Sequence, residues 1–199
     1  MKSSFWQRHP QLIDILSVIG FIIAVTIGTV LINTFIFRSY NVVGQSMENT
    51  LHDGERIIVN RLPVTWSHLQ NKDYSPDRGD IIVFQNPDYV TGMKDQYIVK
   101  RVIAFAGERV VVKDGVLTVY NDQNPDGFHP DDDFNGEPKQ YTSHDGDCTV
   151  PDKELFVSGD NREGNNSFDS RSGLGTVPLY DVIGPISIRL FPFDKIRTF

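Results

Sequence analysis

A chain of 199 residues, 39% of them apolar and 23% charged, has the make-up of one globular domain with an appendage, which excludes a disordered chain and allows one sizeable core. The formal net charge of −7, with no cluster of Lys or Arg, excludes a nucleic-acid partner, because phosphate binding needs a basic stripe. Cys148 is the lone cysteine, so no intramolecular disulfide forms, and it reads as an inert small thiol.

Residues 15–37, "ILSVIGFIIAVTIGTVLINTFIF", contain no charge. As a helix they extend ~34 Å, enough to cross the ~30 Å hydrocarbon core of a bilayer. A cleavable signal has a shorter apolar core and a small-residue cleavage site, and the following "FIFRSYN" offers none. The sequence therefore predicts a short N-terminal segment (1–14), a transmembrane helix (15–37) and a domain outside the bilayer (38–199). Lys2 and Arg8 precede the span and Arg38 follows it, a slight bias toward an inside N-terminus. Gly20, Ala24 and Gly28 share one face at four-residue spacing, a pattern that suits a partner helix.

Beyond the span the periodicity becomes that of short strands: "RIIVNRL" (56–62), "DIIVFQNP" (80–87), "YIVKRVIAFAG" (97–107), "RVVVKDGVLTVY" (109–120), "ELFVSGDN" and "VIGPISIRLF". Each is rich in Val, Ile or aromatics and bounded by turn residues. Asp114-Gly115 is a two-residue hairpin signal, since a primed turn needs positive φ at both central positions. No soluble helix of a dozen residues and no internal repeat is visible, so the fold expected is mainly β. Residues 121–147 form an acidic insert of eight acids against Lys139, a balance of −7 that equals the net charge of the whole chain. Within it "DQNPDG" fits the first half of a calcium loop. Asp133 rather than Glu at the twelfth position, Pro125 and Pro130 favour a solvated acidic loop instead, and no metal site is expected.

Chemistry is suggested by "NVVGQSMENTL" just outside the anchor. A serine hydroxyl attacks only when a base takes its proton. His9, His52, His68, His129 and His144 are available, and a Ser-His-Asp arrangement is not excluded by spacing because triads assemble in space. Lys100 is a second candidate. Strand alternation puts Ile98, Lys100 and Val102 on one face, and Tyr97, Val99, Arg101 and Ile103 on the other. If the first face is buried, desolvation lowers the amine's pKa and makes it a usable base; a solvent-facing lysine on an edge strand fits the same spacing.

"GQSMENTL", "RGDIIVF", "YIVKRVIAFAGE" and "VSGDNREGNNSFDSR" resemble, in order and spacing, the sequence boxes of type I signal peptidases, and the likeness runs from the anchor to "GTVPLYDVIGPISIRLFPF", weakest in the acidic insert. The form resembled is the smaller, single-span bacterial one. The resemblance implies a mainly β catalytic domain on the extracytoplasmic face of the cytoplasmic membrane, a serine endopeptidase that removes signal peptides from preproteins through an acyl-enzyme, and neither metal nor cofactor. It implies Ser46 as nucleophile and Lys100 as base. It further implies Ser167 as the hydroxyl that orients the lysine, Asp169 with Arg171 and Asp160 with Arg101 as supporting ion pairs, and the Ser46 N–H as oxyanion donor. Where some relatives add a hydroxyl donor this chain has Gly44, and Asn49 stands where the family usually has proline, which predicts a looser turn. The stretch "REGNN" before Ser167 looks long, so Ser170 competes with Ser167 for the same role.

Val42, Val43 and Leu51 around the nucleophile, and Val99 beside the lysine, suit shallow apolar pockets for a substrate, though core residues look the same. Met47 reads as packing or as a lipid contact. Preprotein signal peptides, membrane lipid and translocation machinery are the partners expected. Two other readings remain: an anchored β-domain that binds a partner through its acidic insert, and a Ser-Lys protease of the self-cleaving repressor type, which would lack the span.

Overall fold

The computed structural model describes residues 10–132 and 141–199. Helix α1 (Pro10–Phe35) is apolar all round, and its side chains, among them Phe21, Ile22 and Val30, are exposed. Its stretch Asp14–Phe35 is long and apolar enough to cross a bilayer. The helix ends two residues before the predicted boundary, because Phe37 already opens strand β1 (Phe37–Asn41). The carbonyls at and just past its end, which have no partner within the helix, are taken by the next layer. Arg61 N–H donates to Ile36 O at 2.7 Å, Thr65 Oγ1 donates to Phe35 O at 2.8 Å, and the Arg61 guanidinium reaches Thr34 O. Arg61 and Thr65 flank the start of the short helix α2 (Leu62–Leu69).

The remaining strands are β2 (Arg56–Asn60), β3 (Ile81–Gln85), β4 (Tyr97–Phe105), β5 (Arg109–Lys113), β6 (Val116–Asn121), β7 (Asn124–Phe128), β8 (Gly146–Thr149), β9 (Glu154–Ser158), β10 (Val177–Pro178), β11 (Val182–Phe191) and β12 (Arg197–Thr198). The larger sheet runs β1-β2-β11-β3-β4-β9-β10 with β12 on β11, and the smaller runs β7-β6-β5-β8. All pairings are antiparallel. Strand β11 joins β3 through its first half and β2 through its second. It turns between them at Gly184, where a Cβ would sit 2.2 Å from Asn60 O. Only glycine allows that approach.

Three apolar clusters follow. Val42, Met47, Leu51, Ile57 and Val59 form one beneath the start of the domain. Ile82, Phe84, Val102, Leu155 and Val157 form a second across the centre of the sheet. Ile103, Val110, Leu117, Val119 and Phe156 join the two sheets. The predicted hairpin closes at Asp114 (φ 51°) and Gly115 (φ 81°), both positive as a primed turn demands.

The acidic insert departs from the solvated loop expected. Its first part is strand β7, paired on β6, and its last part enters β8, paired on β5. Asp147 pairs with Arg109 and Asp131 with Arg162. Period-two apolar alternation is missing from "NPDGF", so propensity gave no strand there; the ladder to β6 supplies it. Asn121 Oδ1 accepts from the N–H groups of Gln123 and Asn124 at 3.1 and 2.8 Å, closing the β6–β7 hairpin at Asp122-Gln123. Asp133, Glu137 and Lys139 lie outside the described residues.

Candidate active site

Strand β1 delivers the chain into a turn that carries Ser46. Gly44 (φ +91°) begins it in a conformation that favours glycine, and its N–H donates to Asp53 Oδ1 at 2.7 Å. The turn is closed by Glu48 N–H to Gln45 O at 3.1 Å and by the N–H groups of Thr50 and Leu51 to Met47 O, both at 2.8 Å. Backbone bonds thus close the turn in which Asn49 stands in place of a proline. Met47 is 1% exposed, pinned in the core rather than facing lipid.

Lys100 is equally fixed. Strand β4 lies between β3 and β9, so it is central, and the edge-strand reading of Lys100 fails. Ile98 and Val102 on the same face pack into the second core cluster, and Lys100 is 3% exposed. Its Nζ lies 2.7 Å from Ser46 Oγ and 2.9 Å from Val99 O. Burial pulls the amine down to about 8, against the opposing pull of Asp169 and Asp160 and aided by Arg171. About a fifth of the amine is thus neutral near physiological pH, where an ordinary lysine is almost wholly protonated. Of the histidines, His52 sits by Glu55, His129 bonds Leu117 O and His144 bonds Gly164 O; no described histidine bonds Ser46, and His9 lies outside the described residues.

Both predicted ion pairs form. Arg101 binds Asp160 through two parallel bonds, Nε to Oδ1 at 2.7 Å and Nη2 to Oδ2 at 2.5 Å, and the Thr50 hydroxyl donates to the same carboxylate at 2.5 Å. The turn that carries Ser46 is thereby tied to strand β4. Arg171 binds Asp169 in the same way, at 3.1 and 2.7 Å. Asp169 is fully buried. Desolvation, the largest influence on it, pushes its carboxyl up, but Arg171, the Ser167 hydroxyl and the Gly159 N–H together hold it below the usual carboxylate range.

Ser167 is buried beside this cluster, while Ser170 instead accepts from Val157 N–H at 3.0 Å on strand β9. The two serines thus have different partners. The Ser167 hydroxyl, however, donates to Asp169 Oδ2 at 2.6 Å rather than to the lysine. Between Ser167 and Ser46 stands Gly159, where a Cβ would fall 2.2 Å from Ser167 Oγ and 2.3 Å from Ser46 O. Asn161 completes the clamp, its N–H donating to Ser46 O and its Nδ2 to Gln45 O, each at 3.1 Å.

Of the expected pocket residues, Val42 and Val43 line a groove of about 630 Å³ with Leu190, Phe191 and Phe193, edged by Asp53 and Arg56. Val43 is 82% exposed. Val99 packs against the first core cluster. Leu51 is 0% exposed, and its role as a pocket wall is corrected to one of packing beneath the turn. Sequence reasoning missed the aromatic wall from β11 and Phe193, and also missed Thr50 and Arg162. Each lies far from the quoted boxes or within them at a position with no chemical signature. Cys148 stands away from the site, its thiol pushed up by burial.

A buried amine against a serine hydroxyl, behind an apolar helix and on a mainly β scaffold, is the arrangement of an anchored serine hydrolase. Residues 12–191 match the family described as signal peptidase, peptidase S26. Over 178 residues the chain is 36% identical to a signal peptidase I of Bacillus amyloliquefaciens, covering 88% of this chain and 87% of that one. It is 33% identical to signal peptidase I S of Bacillus subtilis, covering 99% and 98%. A crystal structure of a signal peptidase I from Enterococcus faecalis superposes with a TM-score of 0.42 at 28% identity, covering 57% of this chain and 97% of that chain. The chain belongs to the signal peptidase family, peptidase S26, and is a serine endopeptidase.

Proposed function

We propose that this membrane-anchored endopeptidase removes N-terminal signal peptides from exported preproteins, with Ser46 as nucleophile and Lys100 as general base. The observation that carries the reading is the 2.7 Å contact between Ser46 Oγ and an amine that is itself 3% exposed. Neutral Lys100 accepts the hydroxyl proton as Oγ attacks the scissile carbonyl. The negative oxygen of the tetrahedral intermediate takes the Ser46 N–H, which has no acceptor among the described residues, whereas the Gly44 N–H is already held by Asp53. A fixed amide dipole there stabilises developing charge. The Lys100 ammonium then protonates the departing amine, leaving an acyl-enzyme on Ser46, and water activated by the same amine releases it. Asp169 and Ser167 steady the cluster, and Asp160 with Arg101 holds the turn.

Location supports the substrate class. Ser46 follows the end of α1 at Phe35 by eleven residues, a contour of at most ~36–40 Å. A preprotein held by its own apolar segment presents its cleavage point in the same thin layer, which raises effective concentration and favours orientation. In this reading the anchor crosses once with the N-terminus inside, the catalytic domain faces outward among membrane lipid, and Val42 and Val43 contact the substrate. Association with translocation machinery would bring the two reactants together. The test is cleavage of a preprotein whose signal ends in Ala-X-Ala by detergent-solubilised protein, alongside Ser46→Ala and Lys100→Met. Wild type cutting no faster than either variant would sink the proposal.

A further inference from the structure

One buried side chain joins the acidic insert to the nucleophile. Arg162 is 4% exposed, although the four residues after it are exposed. Its Nε donates to Gly159 O at 2.7 Å, and its terminal nitrogens reach both carboxylate oxygens of Asp131, at 3.1 and 2.8 Å. Its carbonyl accepts from Ser143 N–H and from Arg171 Nη1, each at 3.0 Å. Farther along, Gly164 N–H donates to Ser143 Oγ at 2.8 Å and Gly164 O meets His144 Nε2 at 2.9 Å. Asp131, Ser143 and His144 all belong to the insert, so the loop of residues 159–164 is gripped from that side. From its other side the same loop presses on the nucleophile, through Gly159 against Ser46 O and through the Asn161 amides on Ser46 O and Gln45 O.

We propose that the two described flanks of the insert, through Asp131 and through Ser143 with His144, are a buttress for catalysis and that Arg162, braced by Asp131, is a positioning residue that sets Gly159 and Asn161 against Ser46. The guanidinium suits this task because its planar fork serves Gly159 O and a carboxylate at once, which a lysine ammonium on a flexible stem does not reproduce. Charge-assisted bonds are about twice as strong as neutral ones. Asp131 supplies the charge from a partly exposed position, 26% against 5% for the arginine side chain, so the brace runs from the turn that follows β7 to the loop that follows β9. A merely solvated acidic loop needs no such fork. The inference rests on the proposed roles of Ser46 and Lys100.

The test uses full-length protein in detergent with Asp131→Asn, Arg162→Lys and the double variant. Displacements of an ångström at a reacting group lower rates by up to ~10²-fold, so kcat is expected to fall about tenfold or more in each, with KM within about twofold. The double variant should be no slower than the worse single one, because both remove the same brace. Loosening the loop admits water to Lys100, so the acid limb of the rate profile should move to higher pH. Hydrogen exchange provides a readout without substrate: the Asn161 amide should exchange at least about tenfold faster in Asp131→Asn. Unchanged exchange at Asn161 with unchanged kcat would overturn the buttress, as would losses in the two single variants that multiply in the double. Faster exchange in a protein whose wild type cleaves no preprotein would support the brace and defeat the proposed function instead.

Discussion

Lys100 Nζ and Ser46 Oγ stand 2.7 Å apart although 54 positions separate them in the chain. One comes from a central strand and the other from a turn next to the membrane anchor, and neither side chain is free to drift. A sheet that holds the amine and a network that holds the turn make the contact a property of the fold.

The rate should follow the deprotonation of that amine. With Lys100 at about 8, kcat/KM is expected to rise close to tenfold per unit below pH 8 and to level off above it. A profile that stays flat between pH 6 and 9 would remove Lys100 as the base.

The same displacement has a stability sign. The folded amine lies below the unfolded value of 10.5, so between about pH 8 and 10.5 the unfolded chain binds more protons and stability rises with pH. Below that window the buried ammonium is a burden, and Lys100→Met should melt above wild type at pH 7, with the gap closing toward pH 10. Equal gaps at both pH values, measured by thermal melts, would contradict the account.

Arg171→Ala leaves Asp169, fully buried, without its ion partner, and a loss of about 3–5 kcal/mol in unfolding free energy is expected. Asp169 lies below its ordinary value in the fold, so its contribution is complete above the unfolded pKa near 3.8 and fades only as pH drops through the lower folded one. Chemical denaturation at pH 7 and pH 3 checks both statements; an Arg171→Ala loss under about 1 kcal/mol at pH 7 would contradict the first.

Gly159→Ala places a methyl group 2.3 Å from Ser46 O, where backbone has to yield. Overpacking of this kind costs about 1–3 kcal/mol, and the shift at the nucleophile should lower kcat more than tenfold. Full activity in steady-state assays would show that the loop is not set by contact with Ser46.

Leu51→Ala should cost about 2–5 kcal/mol, as deletions from a closed core do, since Leu51 is 0% exposed. The preference among substrates that differ in the residue before the scissile bond should not change. Altered preference at unchanged stability would return Leu51 to the pocket wall.

The strands at 80–87, 97–107 and 109–120, the hairpin at Asp114-Gly115 and the anchor were legible because each depends on local periodicity or a local turn. Ser46, Lys100, Asp160, Asp169 and Arg171 were legible because they stand in boxes whose order resembles a known family. Strands β7 and β8 were not, since "NPDGF" and "GDCT" become strands only through their ladders to β6 and β5. The burial of Leu51 was equally hidden, because a pocket wall and a core residue share one composition.

The sequence by itself determined that an uncharged span precedes a mainly β domain and that Ser46 and Lys100 are its reactive candidates. Periodicity, charge and turn chemistry are local, and a linear chain displays them directly. Tertiary structure alone decided which face of β4 is dry, where the Ser167 hydroxyl points and that the acidic insert reaches Gly159 through Arg162. Desolvation and hydrogen-bond partnership depend on which distant segments pack together, and no stretch of chain contains that information about itself.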